Sequence, residues 1–229
     1  MIESIEIQQD ALEPNSAKLK QFLAQRAIPH QGESCRFCNA DIDAPHVYVI
    51  NIVTHTLISV CPPCYLLFTL EGAAQGKYKA VPQRRIYLPD LALTQTQWEA
   101  LQIPVGIAFF HRNTSQSCIT SCYPGPEGAT QSLVRLETWD ALEEANPILE
   151  KLVPDVESLV IHHPQDHQRS EGGIVPIDVS DELMKYLKQQ WRGLDGGEEA
   201  WKTIHTFVTD MRTRSETFDI PLQCATRVA

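Results

Sequence analysis

The chain has 229 residues and a mass of 25.8 kDa, with 43% hydrophobic and 21% charged side chains. That is the composition of a folded protein of one large domain or two small ones, long enough to bury a core without disulfide staples. A formal net charge of −10 and a pI near 5.2 exclude a broad electrostatic grip on a phosphate backbone and a polybasic membrane anchor.

Residues 1–31 read as a lead-in. Met1–Asp10 is acidic and lacks the basic start of an export signal. No apolar run approaches the ~20 residues of a membrane-spanning helix. A cytoplasmic location is therefore expected. Ser16 is placed to cap a short helix carrying Leu19, Phe22 and Leu23, ended by Pro29.

Residues 32–76 carry the one specific motif. Cys35-Arg-Phe-Cys38 and Cys61-Pro-Pro-Cys64 are separated by 22 residues. Two CxxC pairs at such a separation point to a metal site, because each turn aims two sulfurs at one spot and two turns supply four thiolates. Disulfides fit poorly with a reducing compartment, and a thioredoxin-type redox pair would need one CxxC, not two in series. Asn39 suits the left-handed backbone of a knuckle. His46–Val53 and Thr56–Val60 are strand-like and joined at Thr54-His55, a hairpin. Pro62 and Pro63 fit the first turn of a helix that continues through Tyr65–Leu70 to the glycines Gly72 and Gly76. Knuckle, hairpin and helix in this order is a treble-clef or zinc-ribbon-like module. Zinc (Zn), one per chain, is the favoured occupant, with iron as the alternative. Rubredoxin knuckles usually carry Gly after the second cysteine of each pair, whereas Asn39 and Tyr65 stand there. Four protein ligands leave no open position, so the site reads as structural rather than catalytic.

Residues 77–214 read as an α+β domain with a mainly antiparallel sheet, helices on one face, and two C-terminal helices; residues 215–229 are a tail. Lys77–Arg85 is the only basic cluster and reads as a solvated connector. Thr94-x-x-Gln97 resembles a capping box. Ile103–His111 and Gln116–Tyr123 are predicted to pair as strands, followed by the breaker-rich loop Pro124–Ala129. Ser132–Leu136 reads as a further strand, and Thr138 is placed to cap a helix ended by Pro147. Glu157–His162 and Gly173–Val179 form a second strand pair. Between them Pro164–Gly172 is a solvated loop, and His162, His163, Asp166 and His167 there lack hydrolytic zinc spacing. Ser180 is read as the cap of a helix with Leu183, Leu187 and Trp191 on one face. The last helix runs from Glu198 to about Arg214 with Trp201, Ile204, Val208 and Met211. Cys118, Cys122 and Cys224 read as ordinary thiols. Residues 127–199 hold sixteen acids and six bases, the whole net charge, which argues against a nucleic-acid partner.

No phosphate-binding loop, dinucleotide fingerprint, nucleophile elbow or H-E-x-x-H is present, so nothing specific supports an enzyme. Trp191, Arg192 and Asp195, in the glycine-hinged stretch Trp191–Trp201, are candidates for a partner surface together with Tyr123. Two core tryptophans either side of a tight turn is the competing reading.

The cysteine pairs, Tyr65–Phe68, Trp98–Phe110, Tyr123–Thr130, Pro154–Glu157, Pro176–Asp178 and Trp191–Trp201 together resemble an uncharacterised bacterial family, a domain of unknown function (DUF5947) encoded near [NiFe]-hydrogenase genes. The resemblance spans about residues 32–213, departs at Leu194, where members often have Phe, and carries no established activity. It implies a hydrogenase-associated accessory protein whose partner is a hydrogenase subunit or maturation factor. Rubredoxin-like electron transfer and a metal-dependent enzyme of unknown reaction are the alternatives.

Overall fold

The computed structural model describes residues 34–42, 47–164 and 169–217. The expected lead-in helix at Ser16–Pro29, the loop residues Asp166 and His167, and Cys224 lie outside them.

Two sheets organise the chain. The small one is antiparallel, with order β2-β1-β3 from β1 (Val47–Asn51), β2 (Thr56–Val60) and β3 (Tyr78–Ala80). Its hairpin turns at His55, which takes φ +50°. Helix α1 (Pro62–Thr69) follows β2 directly, with prolines in its first turn where no N–H is needed. Because β3 pairs with β1, Lys77–Val81 run with the cysteine module rather than with the larger sheet.

The large sheet has seven strands in the order β10-β4-β9-β8-β5-β6-β7, antiparallel except where β10 (Glu216–Thr217) runs parallel to β4 (Ile86–Leu88). Hairpins β5–β6 (Ile107–Asn113, Cys118–Gly125) and β8–β9 (Glu157–His162, Glu171–Pro176) join through the β5–β8 pairing. The expected loop at Pro124–Ala129 is shorter than its composition suggests. Pro124 and Gly125 end β6 and pair directly with Ala129 and Gly128 of β7 (Gly128–Leu133).

Helices cover both faces of this sheet, not one. Phe109, Val160 and Gly173 share a face by register, and it lies under the C-terminal helices α4 (Ile177–Gln190) and α5 (Gly197–Arg214). A Cβ at Gly173 would stand 2.8 Å from Met211 Sδ. Phe110, Leu159 and Ile161 face the other way, toward α2 (Gln95–Ala100) and α3 (Leu136–Ala145). Phe110 meets Trp139 there, with ring centroids 5.9 Å apart. The fold is α+β, with the core on both sides of one antiparallel-rich sheet.

Two expected caps differ. Thr94 makes the full capping box with Gln97, but α3 starts at Leu136, two residues before Thr138. Helix α4 starts at Ile177, so Ser180 lies inside it and donates to Ile177 O. Tertiary burial overrides the local signal: Ile177 packs with Ile50, Val81 and Val156 where the two sheets meet.

That junction is also ionic. Buried Asp155, at φ +70°, accepts from Lys79 Nζ at 2.6 Å and from the Thr114 N–H and hydroxyl at 2.8 and 2.6 Å. Arg84 grips buried Glu157 through two nitrogens at 2.6 and 2.8 Å, and Arg85 pairs with Asp210 at 3.0 Å. The basic cluster at Lys77–Arg85 is thus solvent-facing in part, as expected for a connector, but Lys79, Arg84 and Arg85 are each held by an acid of the large sheet or its helices.

Candidate metal centre

Ser34–Ile42 forms the first knuckle. The Cys35 N–H donates to Ala40 O at 2.7 Å and the Asn39 N–H to Cys35 O at 2.8 Å, with Asn39 at φ +60°. The Arg36 N–H reaches Ser59 O at 3.3 Å, tying the knuckle to β2. The second pair straddles the start of α1: Cys61 is its N-cap and Cys64 sits in its first turn. A helix N-terminus favours negative charge there.

The four Sγ atoms lie within 4.8 Å of one another, and Cys38 Sγ is 3.6 Å from Cys61 Sγ. A tetrahedral site with Zn–S bonds of about 2.3 Å separates its sulfurs by about 3.8 Å, so the arrangement can hold one tetrahedral ion. All four cysteines are free; Cys35, Cys61 and Cys64 are buried and Cys38 is exposed. Among the described residues no other group of three or more His, Cys, Asp or Glu side chains converges in this way.

The electrostatics are those of a site that wants a cation. Burial opposes ionisation of Cys35, yet backbone hydrogen bonds at Cys61, Cys38 and Phe37 pull its thiol down to about 6. Cys64 goes the other way: burial raises it, and the three neighbouring thiols raise it further. Four thiolates this close would repel one another without a metal, so binding a metal here would release protons.

Aromatic rings brace the centre. Phe37 of the knuckle packs on Phe68 of α1 at 4.2 Å and on Tyr78 of β3 at 5.0 Å. Helix α1 therefore turns Cys64, Tyr65 and Phe68 inward. Its other side is apolar and open: Leu66, Leu67 and Leu70 are each 60% or more exposed.

The other singled-out residues are placed apart from this centre. Trp191 is buried, with Gly196 close against its ring. Arg192 and Asp195 are exposed in the turn that follows, flanking Leu194, and the Trp201 indole donates to Asp195 O at 2.7 Å. Tyr123 is half-buried against the core. Cys118 and Cys122 are half-buried on β6, and burial raises the Cys122 thiol to about 11.

One polar cluster escaped the sequence reading, which placed His162 and His163 at the edge of a solvated loop. Both are buried. His162 Nδ1 lies 3.1 Å from Glu171 Oε1, and Glu171 also accepts from the Tyr87 hydroxyl and from Arg212. His163 stacks on Trp98 at 4.8 Å and bonds Ser170 and Gln95. Burial, with His162 beside it, lowers the His163 imidazole below its ordinary value. The strand pairing of His162 with Glu171 was the only available signal, and it depends on a register the sequence does not display.

Residues 34–215 match the model of a family described as a family of unknown function (DUF5947). The chain belongs to this family. The match covers the cysteine module and nearly all of the large sheet with its helices, so in this DUF5947 chain the two are parts of one family unit. Neither the curated proteins nor the solved structures gave a match. No helix among the described residues is long and apolar enough to cross a membrane.

Proposed function

We propose that this DUF5947 chain is a zinc-stabilised accessory protein that binds a protein partner in the cytoplasm. The observation that carries the reading is the convergence of four thiols from a knuckle and a helix start. Such a set fills the coordination of zinc and leaves no position for a substrate. Iron would bind the same sulfurs. The helix after the second pair, where rubredoxin has a second knuckle, favours zinc.

The exposed leucines of α1 support the partner. A module of this size would normally bury one face of a helix and solvate the other. Here Leu66, Leu67 and Leu70 form an open apolar strip beside the metal centre, and Arg192, Leu194 and Asp195 add an exposed turn elsewhere. The resemblance to a family encoded near [NiFe]-hydrogenases makes a hydrogenase subunit or maturation factor the partner to test first. Purified hydrogenase subunits and maturation factors titrated with the wild-type chain and with a Leu66→Glu/Leu67→Glu variant test this directly. Binding by the wild type and its loss in a folded, metal-replete variant supports the reading. Equal binding by both, or by neither, counts against it.

A further inference from the structure

The large sheet ends differently at its two edges. At one edge β10 (Glu216–Thr217) is a two-residue strand that carries a charge, the short, charged kind by which folded proteins blunt a sheet edge. At the other, β7 (Gly128–Leu133) is six residues long, with no charged residue and no proline. Its pairing with β6 runs without a bulge from Gly125↔Gly128 to Thr120↔Leu133, and Thr130–Leu133 are all exposed. An edge of this kind is a template for another strand.

The hydrogen-bond alternation fixes which groups are offered. The Val134 N–H donates to Ile119 O at 2.9 Å. In an antiparallel pair the even-numbered residues of β7 therefore turn their N–H and C=O toward β6, and the odd-numbered ones turn theirs outward. Pro124, which has no N–H to give, accordingly stands opposite Ala129. Ala129, Gln131 and Leu133 thus present their backbone groups to the open edge. Their side chains share one face, on which Leu133 is 71% exposed. The backbone is still extended at Arg135, with φ −66° and ψ 135°. Glu127 and Arg135 stand exposed just beyond the two ends of β7 and form no salt bridge among the described residues.

We propose that β7 pairs antiparallel with β7 of a second copy of this chain, a two-fold dimer in which the two seven-stranded sheets become one. A two-fold interface is self-complementary, so one residue of the strand faces its own counterpart. Of the registers that the alternation allows, the one centred on Gln131 bonds Gln131 to Gln131 of the second copy and Ala129 to Leu133 of the second copy. The same centre sets Glu127 opposite Arg135 of the second copy at both ends, because each lies four positions from Gln131. Backbone and charge therefore match in a single register. That selects a second copy over an unrelated extended segment, whose charges bear no such relation to this strand. Leu133 gains cover from Ala129 of the second copy, and no like charges stand opposite each other within the strand. The surface is distinct from the leucines of α1, so it does not rest on the partner reading above.

Sedimentation equilibrium of the metal-replete full chain over a concentration series tests this, with circular dichroism to confirm that each variant is folded. The wild type is expected to show a monomer–dimer equilibrium. Gln131→Lys, at an exposed position, sets two like charges opposite each other at the axis and leaves a monomer. Glu127→Arg and Arg135→Glu each turn both end pairs into like-charge contacts and weaken association by about fivefold or more. The double variant Glu127→Arg/Arg135→Glu restores opposite charges between copies and recovers the wild-type dissociation constant to within about twofold. Leu66→Glu/Leu67→Glu remains as dimeric as the wild type, which separates this edge from the α1 face. The proposal is overturned by a wild type that is monomeric throughout, by a dimer that survives Gln131→Lys, by one that is lost in Leu66→Glu/Leu67→Glu, or by a double variant no tighter than its single parents.

Discussion

The Tyr87 hydroxyl donates to the Glu171 carboxylate at 2.7 Å across 84 residues of sequence. Arg212 of α5 reaches the same carboxylate at 2.8 Å, and His162 Nδ1 lies 3.1 Å from it. One buried acid thus ties β4, β8, β9 and the last helix together. Burial works against its ionisation, but His162, Tyr87 and Arg212 outweigh that and hold it at about 2, below the ordinary 4.5.

The sign of the pH dependence follows. A carboxyl depressed in the folded state stabilises fully above its unfolded value and loses that contribution as pH falls toward its folded value. Glu171 should therefore support the fold above about pH 4.5 and progressively cease to between pH 4.5 and 2. Urea denaturation across this range is expected to show the wild type losing stability steeply. Glu171→Gln should be less stable near neutral pH, by roughly 2 kcal/mol, with a flatter acid limb. Parallel acid limbs would show that other carboxylates govern the transition.

The junction between the sheets should be asymmetric to mutation. Asp155 is fully buried on its side chain, whereas Lys79 is 37% exposed. Removing the acid strands the Thr114 donors and the lysine, while removing the lysine leaves the acid two donors from Thr114. Asp155→Ala is expected to cost about 2–3 kcal/mol and Lys79→Ala about 1 kcal/mol or less in denaturant titrations. Similar costs for both would contradict this ordering.

The two sides of α1 should separate stability from binding. Leu67→Glu alters an exposed side chain and is expected to change stability by no more than about 0.5 kcal/mol. Phe68→Ala removes a ring that packs on Phe37 and Tyr78 and should cost about 2–3 kcal/mol. Thermal melts of the metal-replete proteins provide the comparison.

Much of the cysteine module was legible because its determinants are local. CxxC spacing, Asn39, the hairpin at Thr54-His55 and the prolines after Cys61 each act within a few residues. The capping box at Thr94 was legible for the same reason. The large sheet was less so. Lys79, Arg84 and Arg85 look like a surface run, yet their partners stand 76, 73 and 125 residues away. His162 and His163 look like a loop edge but are drawn inside by Glu171, Ser170 and Trp98. Ser180 looks like a cap until Ile177 is seen packing into the junction. In each case the deciding partner is distant in sequence, so no window along the chain contains it.

Removing the metal should act on the module before the large sheet. Without an ion the sulfurs of Cys35, Cys38, Cys61 and Cys64 cannot all stay ionised side by side and nothing bonds them together, so the Phe37–Phe68–Tyr78 stack loses its anchor. Adding a chelator should abolish aromatic near-ultraviolet dichroism from these rings while most far-ultraviolet signal from the seven-stranded sheet persists. Simultaneous loss of both would mean that the junction makes the whole chain one cooperative unit.

The central claim concerns what the four thiolates hold. Elemental analysis of the purified, untagged chain, with a visible spectrum of the same sample, tests it most directly. The account predicts one zinc per chain and no absorption above the aromatic region. Iron with thiolate charge-transfer bands, or a folded chain with no metal and four titratable thiols, would contradict it.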